Sequence, residues 1–315
     1  MDGSDLRGII PALITPLDAG AEPDQASIHN LIDFQITAGV RAVFVLGSTG
    51  EGPLLTTDQK LRVIRATVEA AGGRVPVLAA ISHSSPGESV TFGRLAQAAG
   101  ANALVTTSPF YFLHSQAELV AYFRYLKQAL ELPIATYDVP SAVKVKLSAS
   151  TVRQLADERL VIGVKDSSGD LAGFREMVLA TAHLSDFRAL TGSEHYVDAA
   201  LQVGGHGAVL GLASVVPGLY VDIFQAASRG DWARAAELQK RAIAVLHMIS
   251  VGQSGGSVTA SAIGSFKVAL REMGVIRSAA VSVPLQALNP SEEEAVRSIL
   301  RIEGVAQPAA PLPTH

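Results

Sequence analysis

Eight short runs rich in Val, Ile and Ala punctuate the chain, and a turn and then a longer segment of helical period follow each of them. The runs are GIIPALI (8–14), AVFVL (42–46), VPVLAAI (75–81), ALVTT (103–107), PIATYDV (133–139), LVIGVK (160–165), FRALT (187–191) and GAVLG (207–211). Near-continuous apolar character, without a polar alternate face, belongs to strands buried on both sides of a parallel sheet. Between the runs, Ile28, Leu31, Ile32 and Ile36 form one apolar stripe. Leu61, Ile64 and Val68 form another, and Leu119, Phe123, Leu126 and Leu130 a third. Steps of three and four residues place each stripe on one face of a helix. Eight strand–helix units in sequence predict an α/β fold, a (β/α)8 barrel (TIM barrel), with an open Rossmann-like sheet as the alternative.

The barrel is expected to occupy residues 1–228. Helical segments near 231–249, 258–273 and 291–303 exceed what a closing barrel helix needs, so residues 229–304 are read as a C-terminal helical extension. Residues 305–315, rich in Pro and Ala, are read as a flexible tail. Apart from the strand–helix rhythm there is no repeat of fixed spacing and no low-complexity block.

Composition removes several classes of function. Lys plus Arg number 25 against 29 for Asp plus Glu, a net charge of -4, which gives no cationic surplus to neutralise a nucleic-acid backbone. There is no cysteine, so disulfides, iron–sulfur clusters, thiolate zinc sites and cysteine nucleophiles are out. The start, MDGSDLRGIIPALITP, has acidic residues where an export signal needs basic ones. The run from Gly207 to Ala227 is broken by Pro217-Gly218 and carries Asp222, which fits a buried strand and helix better than a membrane span. A soluble, cytoplasmic protein without a membrane partner is expected.

In a barrel, chemistry sits at the C-terminal ends of the strands. After AVFVL comes Gly47-Ser48-Thr49-Gly50-Glu51-Gly52, whose glycines, hydroxyls and N–H groups suit a carboxylate or phosphate. It is neither a P-loop nor a dinucleotide fingerprint, and it reads equally well as an ordinary turn. Lys165 closes LVIGVK ahead of Asp166-Ser167-Ser168-Gly169-Asp170, which looks like a helix start. Burial disfavours a lysine's charge, so a lysine there can attack a carbonyl and form a Schiff base. Ion pairing with Asp166 or Asp170 is the alternative. Tyr137, in Tyr137-Asp138-Val139-Pro140, offers a phenol for proton transfer or simply a core ring. Phe110-Tyr111-Phe112 adds a second tyrosine, or an aromatic cluster. The eight histidines include no HExxH and no i, i+4 pair, so no metal site is written locally, and His206 reads as a turn residue. A Gly-x-Ser-x-Gly elbow is missing too.

With GSTGE, SPFY, YDVP and GVKDSSGD at the second, fourth, fifth and sixth strand ends, the chain resembles the dihydrodipicolinate synthase and N-acetylneuraminate lyase family from about Gly8 to Leu300. The resemblance implies a barrel with a C-terminal helical extension. It implies a homotetramer built as a dimer of dimers, and handling of pyruvate or other 2-oxo acids with an aldehyde partner. It implies a covalent lysine imine in place of a cofactor, and no metal. By match, Lys165 is the Schiff-base lysine and Tyr137 the proton relay. Ser48 and Thr49 bind the substrate carboxylate, and Tyr111 reaches across the tight dimer to join Ser48 and Tyr137. Gly192 and Val209 line the pyruvate pocket. Ser167 stands where sialic acid lyases usually carry threonine. The synthases commonly read Asn-x-Pro-Gly-Arg after the tyrosine, and that arginine holds the aldehyde's carboxylate; here Asp138-Val139-Pro140-Ser141-Ala142 puts Ala142 in its place, with Lys144 or Lys146 as conceivable substitutes.

The activity expected is retro-aldol cleavage of a 2-keto-3-deoxy sugar acid, or a similar acid, to pyruvate and an aldehyde. Alternatives are 4-hydroxy-tetrahydrodipicolinate (dihydrodipicolinate) synthase, N-acetylneuraminate lyase, a keto-deoxy-sugar-acid dehydratase, or a non-catalytic 2-oxo acid sensor.

Overall fold

The computed structural model describes residues 3–252 and 255–305. Each apolar run supplies a strand, β6 alone reaching one residue past its run: β1 (Gly8–Pro11), β2 (Val43–Val45), β3 (Val77–Ala80), β4 (Ala103–Thr107), β5 (Ile134–Asp138), β6 (Gly163–Asp166), β7 (Arg188–Thr191) and β8 (Gly207–Leu210). All pairings are parallel, in the order β1-β8-β7-β6-β5-β4-β3-β2. A parallel bridge between Ala12 and Phe44, with the Leu13 amide donating to the Phe44 carbonyl at 2.8 Å, brings the two ends of the sheet together. The fold is the expected (β/α)8 barrel.

Alternation along each strand sorts side chains into two layers. Ile10 and Ala12, then Phe44, then Ala135 and Tyr137, and then Val209 point into the barrel, where they form a compact inner cluster. Their neighbours Ile9, Val43, Val45 and Ile134 join a second cluster between sheet and helices. The barrel interior is therefore a packed core and not a pore.

Capping explains where the helices begin. Thr56 and Gln59 form a reciprocal box at the start of helix Thr57–Ala71, and Ser115 and Glu118 do so for Gln116–Ala129. Asp170 caps Leu171–Thr181 by accepting from the Gly173 amide at 3.0 Å. Asp166, which the sequence placed with that helix start, instead ends β6.

The expected helical extension consists of Trp232–Leu246, Val258–Glu272 and Pro290–Ile302. Its middle helix is buried nearly all round, from Ala260 to Leu270, and shares the outer core with the barrel helices. Of the expected tail, residues 306–315 lie outside the described residues. The segment from Gly207 onward is strand β8 followed by helix Pro217–Ser228. Among the described residues no helix is long and apolar enough to cross a membrane.

Candidate active site

Tyr137 and Lys165 are direct partners in the β5–β6 register, at the C-terminal ends of adjacent strands. Both are buried, and Lys165 Nζ lies 3.9 Å from the centroid of the Tyr137 ring and 5.5 Å from that of Phe44. The amine thus sits against two aromatic faces at the top of the inner cluster. Burial pushes the Tyr137 phenol up, but the adjacent Lys165 charge and hydrogen bonds from Ser48, Ser167 and Lys165 outweigh it. The phenol therefore lies below its ordinary range.

Two backbone approaches make this geometry possible. Gly192, just after β7, faces β6 so closely that a Cβ there would fall 1.9 Å from Ser167 Oγ and 2.9 Å from Lys165 Cε. Its amide donates to the Asp166 carbonyl at 2.6 Å. In the turn after β2, Gly52 packs against Leu46, and a Cβ there would meet the Leu46 carbonyl oxygen at 1.8 Å. Leu46 and Glu51 both adopt left-handed φ values, of 63° and 56°, so this turn is tightly wound. Thr15 Oγ1 donates to the Gly50 carbonyl at 2.6 Å and holds it from the β1 side. The turn carries Ser48 to the phenol and leaves Thr49 half-buried beside Gly211, after β8.

A cavity of about 650 Å³ opens beside Ser48 and Tyr137, with Thr107 and Ala142 also among its lining residues; Lys165, Ser167, Thr49 and Gly192 are not among them. Val209, buried on β8, belongs to the inner cluster beneath. The structure brings Lys165, Tyr137, Ser48, Ser167 and Gly192 together. Tyr111 stands apart. It is 88% exposed, with φ of 89°, and its ring meets Phe112 edge-on at 5.1 Å in a projecting segment with Phe110 and Leu113. Within one chain it does not join Ser48 and Tyr137.

Of the two lysines weighed as stand-ins for the missing arginine, Lys146 is committed to carboxylates and Lys144 is exposed, and neither lines the cavity. Lys146 is ion-paired with Asp138 and, at 3.4 Å, with Asp166. Lys144 Nζ donates to the Ser141 carbonyl at 2.7 Å. Asp138 and Asp166 are register partners, both 1% exposed, and the Leu147 amide also donates to Asp138, at 3.2 Å. Burial pushes the Asp138 carboxyl above its usual range although Lys146 opposes this. The only cationic lysine lining the cavity among the described residues is Lys60, which lies 5.4 Å from the Phe92 ring centroid. Burial holds its pKa down.

Sequence reading missed the Asp138–Lys146–Asp166 cluster, the Phe44 face and a buried ion pair between Glu51 and Lys267. Phe44 was discoverable, since the inward alternation of β2 points it at the strand ends. The two charge clusters depend on chain crossings that no local pattern records. His206 accepts the Ala189 amide on Nδ1 at 3.2 Å, as a turn residue does. Among the described residues no group of three or more His, Cys, Asp or Glu is placed to hold a metal ion.

Comparison with known proteins agrees with this architecture. The model of the dihydrodipicolinate synthetase family matches residues 5–303. A 4-hydroxy-tetrahydrodipicolinate synthase of Aromatoleum aromaticum is 31% identical over 300 residues, covering 95% of this chain and 99% of the relative. One from Sphingopyxis alaskensis is 38% identical over 234 residues, covering 74% of this chain and 79% of the relative. Among solved structures, the dihydrodipicolinate synthase of Bacteroides thetaiotaomicron superposes with a TM-score of 0.89 at 35% identity, covering 94% of this chain and 98% of that one.

Proposed function

The chain belongs to the dihydrodipicolinate synthetase family, whose members are class I carbon–carbon lyases and synthases working through a lysine imine without a metal, and on that premise we propose that Lys165 forms the imine here and that Tyr137 moves the proton. The observation that carries this reading is the facing of the two residues across β5 and β6, with Nζ 3.9 Å from the ring centroid. The sensor alternative falls away with family membership.

In the proposed reaction the Lys165 amine attacks C2 of pyruvate and water leaves, giving an iminium that withdraws electrons from C3. The Tyr137 phenol protonates the departing hydroxyl, and the resulting phenolate takes a C3 proton, which yields the enamine and restores the phenol. Its C3 then attacks the aldehyde carbonyl, forming the new carbon–carbon bond, while the Tyr137 phenol gives a proton to the developing alkoxide. Hydrolysis of the iminium restores Lys165. Ser48 and Thr49 hold the pyruvate carboxylate, Ser167 steadies the phenol, and Gly192 and Val209 shape the pocket wall. Cleavage is the same sequence in reverse.

The named relatives favour the condensing direction, the synthase that the sequence placed second to retro-aldol cleavage. The identity of the aldehyde is a separate matter. Ala142 lines the cavity where the synthases commonly place a carboxylate-holding arginine, and neither Lys144 nor the ion-paired Lys146 lines it. This favours a hydroxylated aldehyde, as released by a 2-keto-3-deoxy sugar acid, over one bearing a carboxylate at that end. Product analysis separates the two: purified protein is supplied with pyruvate and either a carboxylate-bearing semialdehyde or a panel of hydroxyaldehydes. Turnover confined to the semialdehyde would sink the sugar-acid reading.

The exposed Tyr111 segment supports a proposed tight dimer in which this ring completes a neighbour's relay, within a homotetramer. A cytoplasmic setting is proposed with it.

A further inference from the structure

Glu51 is the one acidic residue of the turn that carries Ser48 and Thr49, and the proposed reaction gives it no task. It is 1% exposed and adopts a left-handed φ of 56°, a conformation that a side chain beyond glycine holds only when its surroundings insist on it. The surroundings come from the C-terminal extension. Lys267, in the middle of helix Val258–Glu272 and fully buried, pairs with Glu51 Oε1. The Ser282 amide donates to Oε2 at 2.6 Å, and Lys267 Nζ also donates to the Ala280 carbonyl at 2.6 Å. On its other side the Glu51 amide donates to the Ser48 carbonyl at 3.1 Å. One residue therefore ties the turn to a helix and to a loop far along the chain.

We propose that the Glu51–Lys267 pair is a positioning device for the pyruvate-carboxylate site, so that the C-terminal extension sets where Ser48 and Thr49 point. Neither member touches the reacting atoms. A buried pair of this kind is poor evidence for added stability, because apolar groups of similar volume often do as well. Its specific effect is geometric. The carboxylate fixes the left-handed residue, the residue fixes the Ser48 carbonyl, and the hydroxyls of the turn inherit that placement. This inference rests on the imine reading of Lys165, and its test is arranged to tell the two apart.

The test measures borohydride-trapped labelling of Lys165 against pyruvate concentration in the full-length protein. It compares wild type, Glu51→Gln, Lys267→Met, the double variant, and Val268→Ala, a buried truncation in the same helix with no link to Glu51. In Lys267→Met and the double variant we expect the half-labelling concentration to rise about ten-fold or more. The maximal labelling rate should stay within about three-fold, and Val268→Ala should match wild type at comparable thermal destabilisation. Glu51→Gln keeps the shape of the side chain and an acceptor for Ser282, and it carries the same expectation if Lys267→Met does not fold. Half-labelling concentrations equal to wild type in folded variants would overturn the proposal and leave the pair a purely structural one. No labelling of wild type would instead overturn the imine reading, and this inference with it.

Discussion

A Cβ on Gly192 would lie 1.9 Å from Ser167 Oγ and 2.9 Å from Lys165 Cε, so the residue after β7 sets how far both side chains can swing. The proposed amine and a proposed phenol partner are wedged in place by the absence of a single methyl group.

Gly192→Ala is therefore expected to damage catalysis more than folding. The intruding methyl displaces Ser167 and the Lys165 stem, and a displacement near 1 Å at reacting groups costs on the order of 100-fold in rate. Steady-state kinetics beside a thermal melt make the check. A variant with wild-type kcat/KM would show that the strand ends relax around the methyl without consequence.

Tyr137→Phe should slow turnover by about 100- to 10,000-fold, the usual contribution of a positioned acid or base. The wild-type phenol is held below its ordinary range by Lys165 and its hydroxyl partners despite burial. Activity that needs the protonated phenol is present at low pH and lost as pH rises through this lowered value. The basic limb of the kcat/KM profile, which reports the free enzyme, should accordingly fall below the usual tyrosine range and disappear in the variant. An unchanged limb in Tyr137→Phe would assign it to another group.

Lys146→Met leaves Asp138 and Asp166 as buried neighbours with no cation. Breaking such a cluster costs on the order of 3 kcal/mol, and Asp138→Asn in the same chain should recover part of it by removing one of the two charges. Urea denaturation at neutral pH measures both. Equal stability of Lys146→Met and wild type would mean that the two carboxyls already share a proton.

Ala142→Arg installs a guanidinium on the wall of the cavity. The expected gain is a roughly ten-fold lower KM for an aldehyde bearing a carboxylate, with KM for pyruvate unchanged. A shift in the pyruvate KM alone would place residue 142 nearer the imine than the cavity outline puts it.

The eight strands were legible because burial on both faces writes an uninterrupted apolar run, and the register of β5 with β6 then brought Tyr137 to Lys165 without further signal. Strand edges were less legible. Leu160 to Ile162 share the apolar character of β6 yet precede its first paired residue, Gly163. Asp166 was assigned to the wrong element because a run of Asp, Ser and Gly looks the same at a strand end and at a helix cap. The clamp on the Ser48 turn could not be read at all, since Ser282 lies 231 residues from Glu51 and nothing in either neighbourhood encodes the meeting. Lys146 posed the same problem at closer range. From the sequence it was a conceivable point-charge substitute for the family's arginine, whereas the fold commits it to two carboxylates.

Reduction with borohydride in the presence of pyruvate, followed by peptide mass analysis of wild type and Lys165→Ala, tests the central claim most directly. The account predicts a reduced pyruvyl adduct on the peptide containing Lys165 and none in the variant. An adduct on a different lysine, or none in folded wild-type protein, would contradict it.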